Sequence, residues 1–362
     1  MSDPERVLLF LCKLRKSKIL FPVLAVCSFI YRMLVSLRRF LYTKKIIRAY
    51  APAVNVISIG NITTGGTGKT VAVVHLATFL KGKFEKVVIL LRGYQRKNTS
   101  KRIVVVSDGN GRISDWRETG DEAYMLAEAL PDIPIIVGAD RARSSKLAVE
   151  KFGAQAIILD DGFQHMALRR NHDIVLVDAT NPFDNGWCLP LGNLRESRTS
   201  LKNADQIILT RVDQVPAHDL KRIHKEINEI SLKKSIVEAT HRPQYFVSLK
   251  NHKRFPVPMI QGKKIYSLSG IANPGALQKT LENLGATVLG NFIYPDHHNY
   301  SLGDIKSILS ALAQTSFDYV ITTQKDSVRL ASLSEELPST CYYLKIEFEF
   351  LNNKTWEDVL QC

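Results

Sequence analysis

One run of the chain, Gly60-Asn61-Ile62-Thr63-Thr64-Gly65-Gly66-Thr67-Gly68-Lys69-Thr70, concentrates the residue types that hold a polyphosphate. Gly65, Gly66 and Gly68 let main-chain N–H groups converge on phosphate oxygens, with Thr64 and Thr67 between and beside them. Lys69 supplies a point charge for the β- and γ-phosphates, and the Thr70 hydroxyl is a natural Mg²⁺ ligand. The general pattern G-x-x-x-x-G-K-[ST] wants glycine at 63, where this chain has Thr63. The apolar run Val54–Ile59 before the loop and the helical period Val71–Leu80 after it are the context such a loop requires. The ligand these residues predict is a nucleoside triphosphate.

A phosphate loop also needs a carboxylate at the end of a neighbouring strand to hold Mg²⁺ and its waters. Ile157-Ile158-Leu159-Asp160-Asp161 offers one, and the adjacent carboxylates Asp160 and Asp161 repel each other unless a cation or donors lie between them. Asp178, after Ile174–Val177, is a second candidate whose plainer role is a helix cap. Other short polar groups close apolar runs or open helices: Arg92-Gly93-Tyr94-Gln95-Arg96, Gly120-Asp121-Glu122, Val137-Gly138-Ala139-Asp140-Arg141 and Asp160–His165. Leu194-Arg195-Glu196 lies in a long loop. Tyr294-Pro295-Asp296-His297-His298 and Thr323-Gln324-Lys325-Asp326 lie towards the C-terminus. Taken singly, Asp121 reads as a helix cap and His297 as a packed or loop histidine. Arg141 and Arg195 suit a phosphate or a surface ion pair, and Glu122 and Glu196 suit sugar hydroxyls or the water shell of a cation.

The elements that must position these groups alternate as strand, turn and helix after Pro52. Val54–Ile59, Lys86–Leu91, Ile103–Val106, Ile133–Val137, Ala156–Leu159, Asp173–Val177 and Gln206–Leu209 read as strands, with helices over Val71–Leu80, Glu122–Leu130 and Arg141–Phe152. Unalternated β-branched runs separated by helices predict a parallel sheet covered on both faces. His241-Arg242-Pro243, the basic stretch Lys250–Arg254, Pro256 and Pro258 read as a connection. A smaller α/β unit follows, with strands Lys264–Leu268, Ala286–Phe292, Tyr319–Thr322 and Tyr342–Phe348 and helices Ala276–Leu284 and Ile305–Ala313. The expected division is a helical segment over 1–50, a phosphate-loop domain over 51–240, a linker over 241–258 and a smaller domain over 259–362. The length of 362 residues agrees with more than one core.

Composition narrows the class. Hydrophobic residues at 45% and charged residues at 23% exclude disorder and a polytopic membrane protein. Cysteines 12, 27, 188, 341 and 362 are odd in number and form no C-x-x-C pair, which excludes a disulfide scaffold and a cysteine zinc site and fits a reducing compartment. The net charge of +14 is uneven: the first fifty residues hold 11 Lys/Arg against 2 Asp/Glu. Those charges flank the uncharged run Ile19–Tyr31 rather than forming a recognition module, so an anionic membrane surface is the expected partner and nucleic acid is not. Arg32 interrupts the apolar run and Pro22 sits inside it, which favours an interfacial helix or helix pair; a single span is the alternative.

Together, Gly60–Thr70, Asp160-Asp161-Gly162-Phe163-Gln164-His165 and Asp296-His297-His298 resemble the tetraacyldisaccharide 4'-kinase family of lipid A synthesis, from the N-terminus to about residue 330. Thr63 is what that family's Asn-x-Thr-x-Gly-Gly-Thr-Gly-Lys-Thr pattern has. Val71, Gln95 and the looser stretch Asn185–Asn193 depart from it. The resemblance implies a P-loop NTPase-like α/β/α sandwich with a second, smaller α/β domain and an N-terminal membrane-associated helix. It implies ATP and Mg²⁺ as cofactors, and phosphorylation of the 4'-hydroxyl of tetraacyldisaccharide 1-phosphate to give lipid IVA.

By the same resemblance Asp121, paired with His297, accepts the hydroxyl proton, with Lys69 at the phosphates. Tyr94, Glu122, Arg141, Arg195 and Glu196 are expected at the substrate, and Thr70, Asp160 and Asp161 at the metal. The implied location is the cytoplasmic face of a Gram-negative inner membrane, as a peripheral protein with no obligate protein partner. A membrane-associated P-loop GTPase or nucleotide-driven metallochaperone is the rival, because Thr210-Arg211-Val212-Asp213 faintly resembles a guanine-reading Asn-Lys-x-Asp. A non-enzymatic scaffold using the positive charge is the remaining class.

Overall fold

The β-branched runs form strands because their side chains fill both faces of a sheet that helices cover. In the computed structural model, which describes residues 19–93, 103–111, 115–232 and 234–360, these strands are β1 (Asn55–Gly60), β2 (Val87–Leu91), β3 (Val104–Asp108), β4 (Pro134–Val137), β5 (Ala156–Asp160), β6 (His172–Asp178) and β7 (Gln206–Thr210). Then follow β8 (Ile236–Ser248), β9 (Arg254–Pro256), β10 (Lys264–Ser269), β11 (Thr287–Ile293), β12 (Tyr319–Thr323) and β13 (Cys341–Phe350). All belong to one sheet in the order β11-β10-β12-β13-β8-β7-β6-β1-β5-β2-β4-β3, with β9 beside β8.

The phosphate-loop half is parallel except at its edge, where β3 runs antiparallel to β4. The second half is a parallel set, β11-β10-β12-β13. β8 joins the two: its first residues pair parallel with β7, and the rest pairs antiparallel with β13 over Ala239–Ser248. The stretch after His241 that reads as a connection is therefore strand up to Ser248, and its prolines fall where a ladder tolerates a missing N–H.

Helices take the polar–apolar periods. α1 spans Phe21–Thr43, α2 Lys69–Lys81, α3 Asp121–Ala129, α4 Arg141–Phe152, α5 Ala217–Ser231, α6 Pro274–Asn283, α7 Leu302–Leu312, α8 Gln324–Leu330 and α9 Trp356–Leu360. Their ends follow local chemistry. Asp140 accepts from Arg143 N to cap α4, left-handed Gly153 ends it, and a Ser301–Asp304 capping box opens α7. Ala72, Val73, Leu76, Ala77 and Leu80 bury one face of α2 on β1, β2 and β5, together with Leu126 of α3 and Trp356 of α9. Ala148 of α4 and Leu168 cover the opposite face, packing on Val56, Val88 and Ile157. The smaller part has cores of its own, around Ile305, Ile308 and Val320 on one face and Phe246, Leu277 and Ile321 on the other.

α1 is a single 23-residue helix in which Pro22 occupies the first turn, where a missing N–H does no harm. Leu24, Ser28, Tyr31, Val35 and Arg39 form its inward stripe, while Val23, Val26, Phe29, Ile30, Met33, Leu34, Leu37 and Phe40 are exposed. By length and composition it could cross a membrane, and only 11% of its most apolar window is buried against the protein.

Candidate active site

β1 delivers the chain into the glycine loop, and α2 begins at Lys69, so the loop's N–H groups and the positive end of the helix share one point. The loop is held from within and from outside. Asn61 Nδ2 donates to Gly65 O at 3.0 Å and to Thr63 Oγ1 at 3.3 Å. Thr64 N donates to Asn193 O at 2.8 Å, and Arg195 N donates to Ile62 O at 2.7 Å. Gly68 is left-handed at φ 86°, and a Cβ there would lie 2.2 Å from the ring of the buried His241 on β8. Only glycine satisfies both constraints.

β5 lies beside β1 and brings Asp160 and Asp161 to the loop. Lys69 Nζ lies 3.5 Å from Asp161 Oδ1, and Arg195 Nη1 donates to Asp161 Oδ2 at 2.6 Å. Burial works against the Asp161 charge, but Lys69 and Arg195 outweigh it and hold the carboxyl well below the usual range. Asp160 moves the other way: burial raises it first, and Glu122 adds to the rise while Lys69 opposes it. Asp160 Oδ1 and Asp161 Oδ1 are buried and accept no hydrogen bond among the described residues. Carboxylate oxygens left in that state, with Asp161 3.5 Å from Lys69 Nζ, fit a divalent cation.

The second group of residues comes from separate segments. Gly120 at φ 94° turns the chain into α3 and serves as its N-cap, so Asp121 is the first helical residue and not the cap. Its carboxylate receives Glu122 N at 2.9 Å and faces His297 Nδ1 at 2.9 and 3.1 Å. His297 sits in a left-handed turn at φ 63°, tied by its N–H to Gly270 O. Arg329 Nε of α8 lies 3.6 Å from Asp121 Oδ2, and Lys325 Nζ approaches His297 Nε2 at 3.0 Å and Glu122 Oε1 at 3.2 Å. Burial would raise Asp121, but the His297 hydrogen bond and the charges of Lys325 and Arg329 hold it well below the usual carboxylate range. His298 meets Asp304 and stacks on Tyr294, which braces the turn.

The remaining expected residues fall in different places. Arg195 reaches the phosphate loop, as described. Arg141 is fully buried and donates to the carbonyls of Asp160 (3.0 Å) and Gly138 (3.3 Å). Glu196 is buried, and its two oxygens accept from Arg39 Nε and Nη2 of α1 at 2.8 and 2.7 Å. Glu122 lies beside His297 and accepts from Lys325 Nζ at 3.2 Å. Tyr94 lies outside the described residues.

Lys325 and Arg329 were given no role by sequence, and Arg39, expected near lipid headgroups with the other basic residues of the N-terminal segment, turns inward to Glu196 and Phe163 O instead. Lys325 stood in a quoted motif without a role, and Arg39 could have been found as the polar end of the stripe Leu24, Ser28, Tyr31 and Val35. In the Thr210–Asp213 segment, Thr210 donates to Thr67 O and Val177 O, Arg211 pairs with Asp178, and Asp213 accepts from Thr240. Its polar groups are thus engaged inside the protein.

The family model for tetraacyldisaccharide-1-P 4'-kinase matches residues 20–362. Among curated relatives, the tetraacyldisaccharide 4'-kinase of Halothermothrix orenii is 37% identical, over 87% of this chain and 84% of its own length. Those of Anaeromyxobacter sp. strain K and Syntrophus aciditrophicus are 36% and 35% identical, over 92% and 93% of this chain and 86% and 91% of their own lengths. Among solved structures, "apo" form LpxK from Aquifex aeolicus in complex with ATP superposes with a TM-score of 0.71 at 29% identity, covering 94% of this chain and 98% of its own. The chain belongs to the tetraacyldisaccharide 4'-kinase family.

Proposed function

We propose that the protein transfers the γ-phosphoryl group of ATP to the 4'-hydroxyl of a tetraacylated, 1-phosphorylated glucosamine disaccharide, giving lipid IVA. The observation that carries the reading is the Asp121–His297 contact between separate segments of chain, with the adjoining Glu122 near enough to Asp160 to raise its carboxyl. A sugar hydroxyl is a poor nucleophile, so a positioned acceptor must take its proton as the phosphoryl group arrives. Asp121 takes that proton, a bond forms from the sugar oxygen to the γ-phosphorus, and the bond to the β-phosphate oxygen breaks to leave ADP. A carboxylate held ionised is a weak base. In a loose transition state, however, the hydroxyl gives up its proton late, and placement matters more than basicity.

The main-chain N–H groups of residues 64–70 and the Lys69 ammonium hold the triphosphate. Arg195, already at Asp161, is set to follow the charge that develops on the transferring group. Arg141 acts through the Asp160 carbonyl, and Glu122 and Tyr94 remain proposed sugar contacts. Glu196 contributes by holding its loop against α1. Thr70, Asp160 and Asp161 would hold Mg²⁺, which would supply positive charge to stabilise the transferring phosphoryl group.

The exposed apolar face of α1, with Arg38, Lys44, Lys45 and Arg48 beside it, supports a peripheral seat on the cytoplasmic face of an inner membrane. Deleting residues 1–45 should abolish cosedimentation with anionic vesicles, and unchanged sedimentation would remove this seat. The activity itself is tested by following label from γ-labelled ATP or GTP into tetraacyldisaccharide 1-phosphate in detergent. Precursor-dependent transfer from ATP is expected. Hydrolysis of GTP alone, indifferent to the precursor, would sink the kinase reading.

A further inference from the structure

Lys325, on the first turn of α8, points its ammonium into the Asp121–His297 contact. Its Nζ lies 3.0 Å from His297 Nε2, 3.2 Å from Glu122 Oε1 and 3.3 Å from Asp296 Oδ1, so three N–H groups face three acceptors. An ammonium has no lone pair, and a hydrogen bond at that distance requires Nε2 to be the acceptor. The histidine proton then sits on Nδ1, where it donates to Asp121 at 2.9 Å. Glu122 Oε1 at 4.0 Å and Asp296 Oδ2 at 3.8 Å also face Nε2 and would draw a proton onto it. Lys325 lies against both carboxylates and supplies the competing donor. Burial works against its charge, yet Glu122, Asp296 and Asp121 outweigh burial and hold it above the ordinary lysine range.

We propose that Lys325 is a positioning residue of the phosphoryl-transfer site, which fixes His297 in its Nδ1–H form and thereby aims the Asp121 carboxylate at the incoming hydroxyl. A histidine ligand or base is commonly set in one tautomer by the bond its other nitrogen makes. Here that bond comes from a lysine, 28 residues further along the chain.

The inference rests on Asp121 and His297 forming the proton-handling pair, so the test separates the two. Lys325→Met and Asp121→Asn are assayed beside wild type with ATP and the lipid acceptor. Imidazole nitrogen NMR of isotopically labelled histidine, with the His297 signals assigned by difference from His297→Gln, reads the tautomer in the folded wild-type protein. Expected are a bare Nε2 and a protonated Nδ1 in wild type, and for Lys325→Met a fall in kcat of about tenfold to a hundredfold with the KM for ATP within about threefold. Wild-type kcat in Lys325→Met with Asp121→Asn inactive overturns the role of Lys325 alone. Wild-type turnover in Asp121→Asn overturns the underlying pair and the proposal with it. If Lys325→Met does not fold, the wild-type spectrum decides: a proton on Nε2 at neutral pH overturns the proposal.

Discussion

The two halves of the candidate site are built by opposite means. The phosphate half is one unbroken stretch of chain, Gly60–Thr70, whose working groups are mostly main-chain N–H, and its precision comes from removing side chains. At Gly68 a single methyl would collide with His241. The half proposed to handle the proton gathers Asp121, His297, Lys325 and Arg329 from three segments, and its groups are side chains. A backbone cradle needs only a strand, a turn and a helix in order. A side-chain cluster needs the smaller part of the sheet to be seated on the larger, which contacts such as Asn273 Nδ2 to Asp178 Oδ2 at 3.1 Å provide. The cradle is therefore pre-formed, and the proton-handling group depends on the relation between the two parts of the molecule.

The difference can be tested from both sides. Lys69→Met removes the ammonium proposed to hold the β- and γ-phosphates. It should lower kcat/KM for ATP by about a thousandfold or more, near ~4 kcal/mol, because the γ-phosphoryl charge loses its closest cation. A variant within tenfold of wild type in steady-state assays would mean that the main chain alone suffices. Asp121→Asn should lower kcat by about a hundredfold to a thousandfold and leave the KM for ATP nearly unchanged, since the lost interaction belongs to the transition state. An equal rise in KM would make Asp121 a ground-state contact instead.

The smallest expected effect on rate concerns a third region, where α1 meets the active-site loop. Ser28 donates to Cys188 O, Tyr31 to Arg195 O, and Arg39 to Glu196 and Phe163 O. The helix that carries the exposed apolar face thus also holds the loop bearing Arg195. Arg39→Ala leaves the buried Glu196 charge uncompensated, at about 3 kcal/mol of stability, and should lower kcat/KM for the lipid acceptor by about tenfold with ATP binding unaffected. Denaturant melts of Arg39→Ala, Glu196→Ala and the double variant check this. Strict additivity across the cycle would mean that the two side chains do not act together.

Most of the larger part of the fold was legible in the order of residues, because a buried parallel strand is an unalternated apolar run and its helices keep a 3.6-residue period. Ile103–Val106 read as a strand correctly, but its antiparallel place at the edge depends on a partner that no local pattern names. The stretch Ile236–Ser248 was misleading, since His241, Arg242 and Pro243 look like punctuation. They lie in the ladder with β13, and Pro243 falls at its register shift, where Gln244 has no paired residue and a missing N–H is tolerated.

The site divided in the same way. By itself the sequence determined the cradle, from Gly65 to Thr70, and the acidic pair Asp160-Asp161, because both follow from residues adjacent in the chain and from strands that end beside them. It also determined the uneven +14 charge and the apolar stretch it surrounds. Only the tertiary structure decided that Asp121 is not a cap, that Arg141 meets the Asp160 carbonyl and Glu196 meets Arg39, and that Lys325 meets His297 Nε2. The physical reason is range. Backbone geometry and burial periods act over a few residues, whereas ion pairs and shared protons are set by distances between side chains, which the chain order leaves open until the sheet has formed.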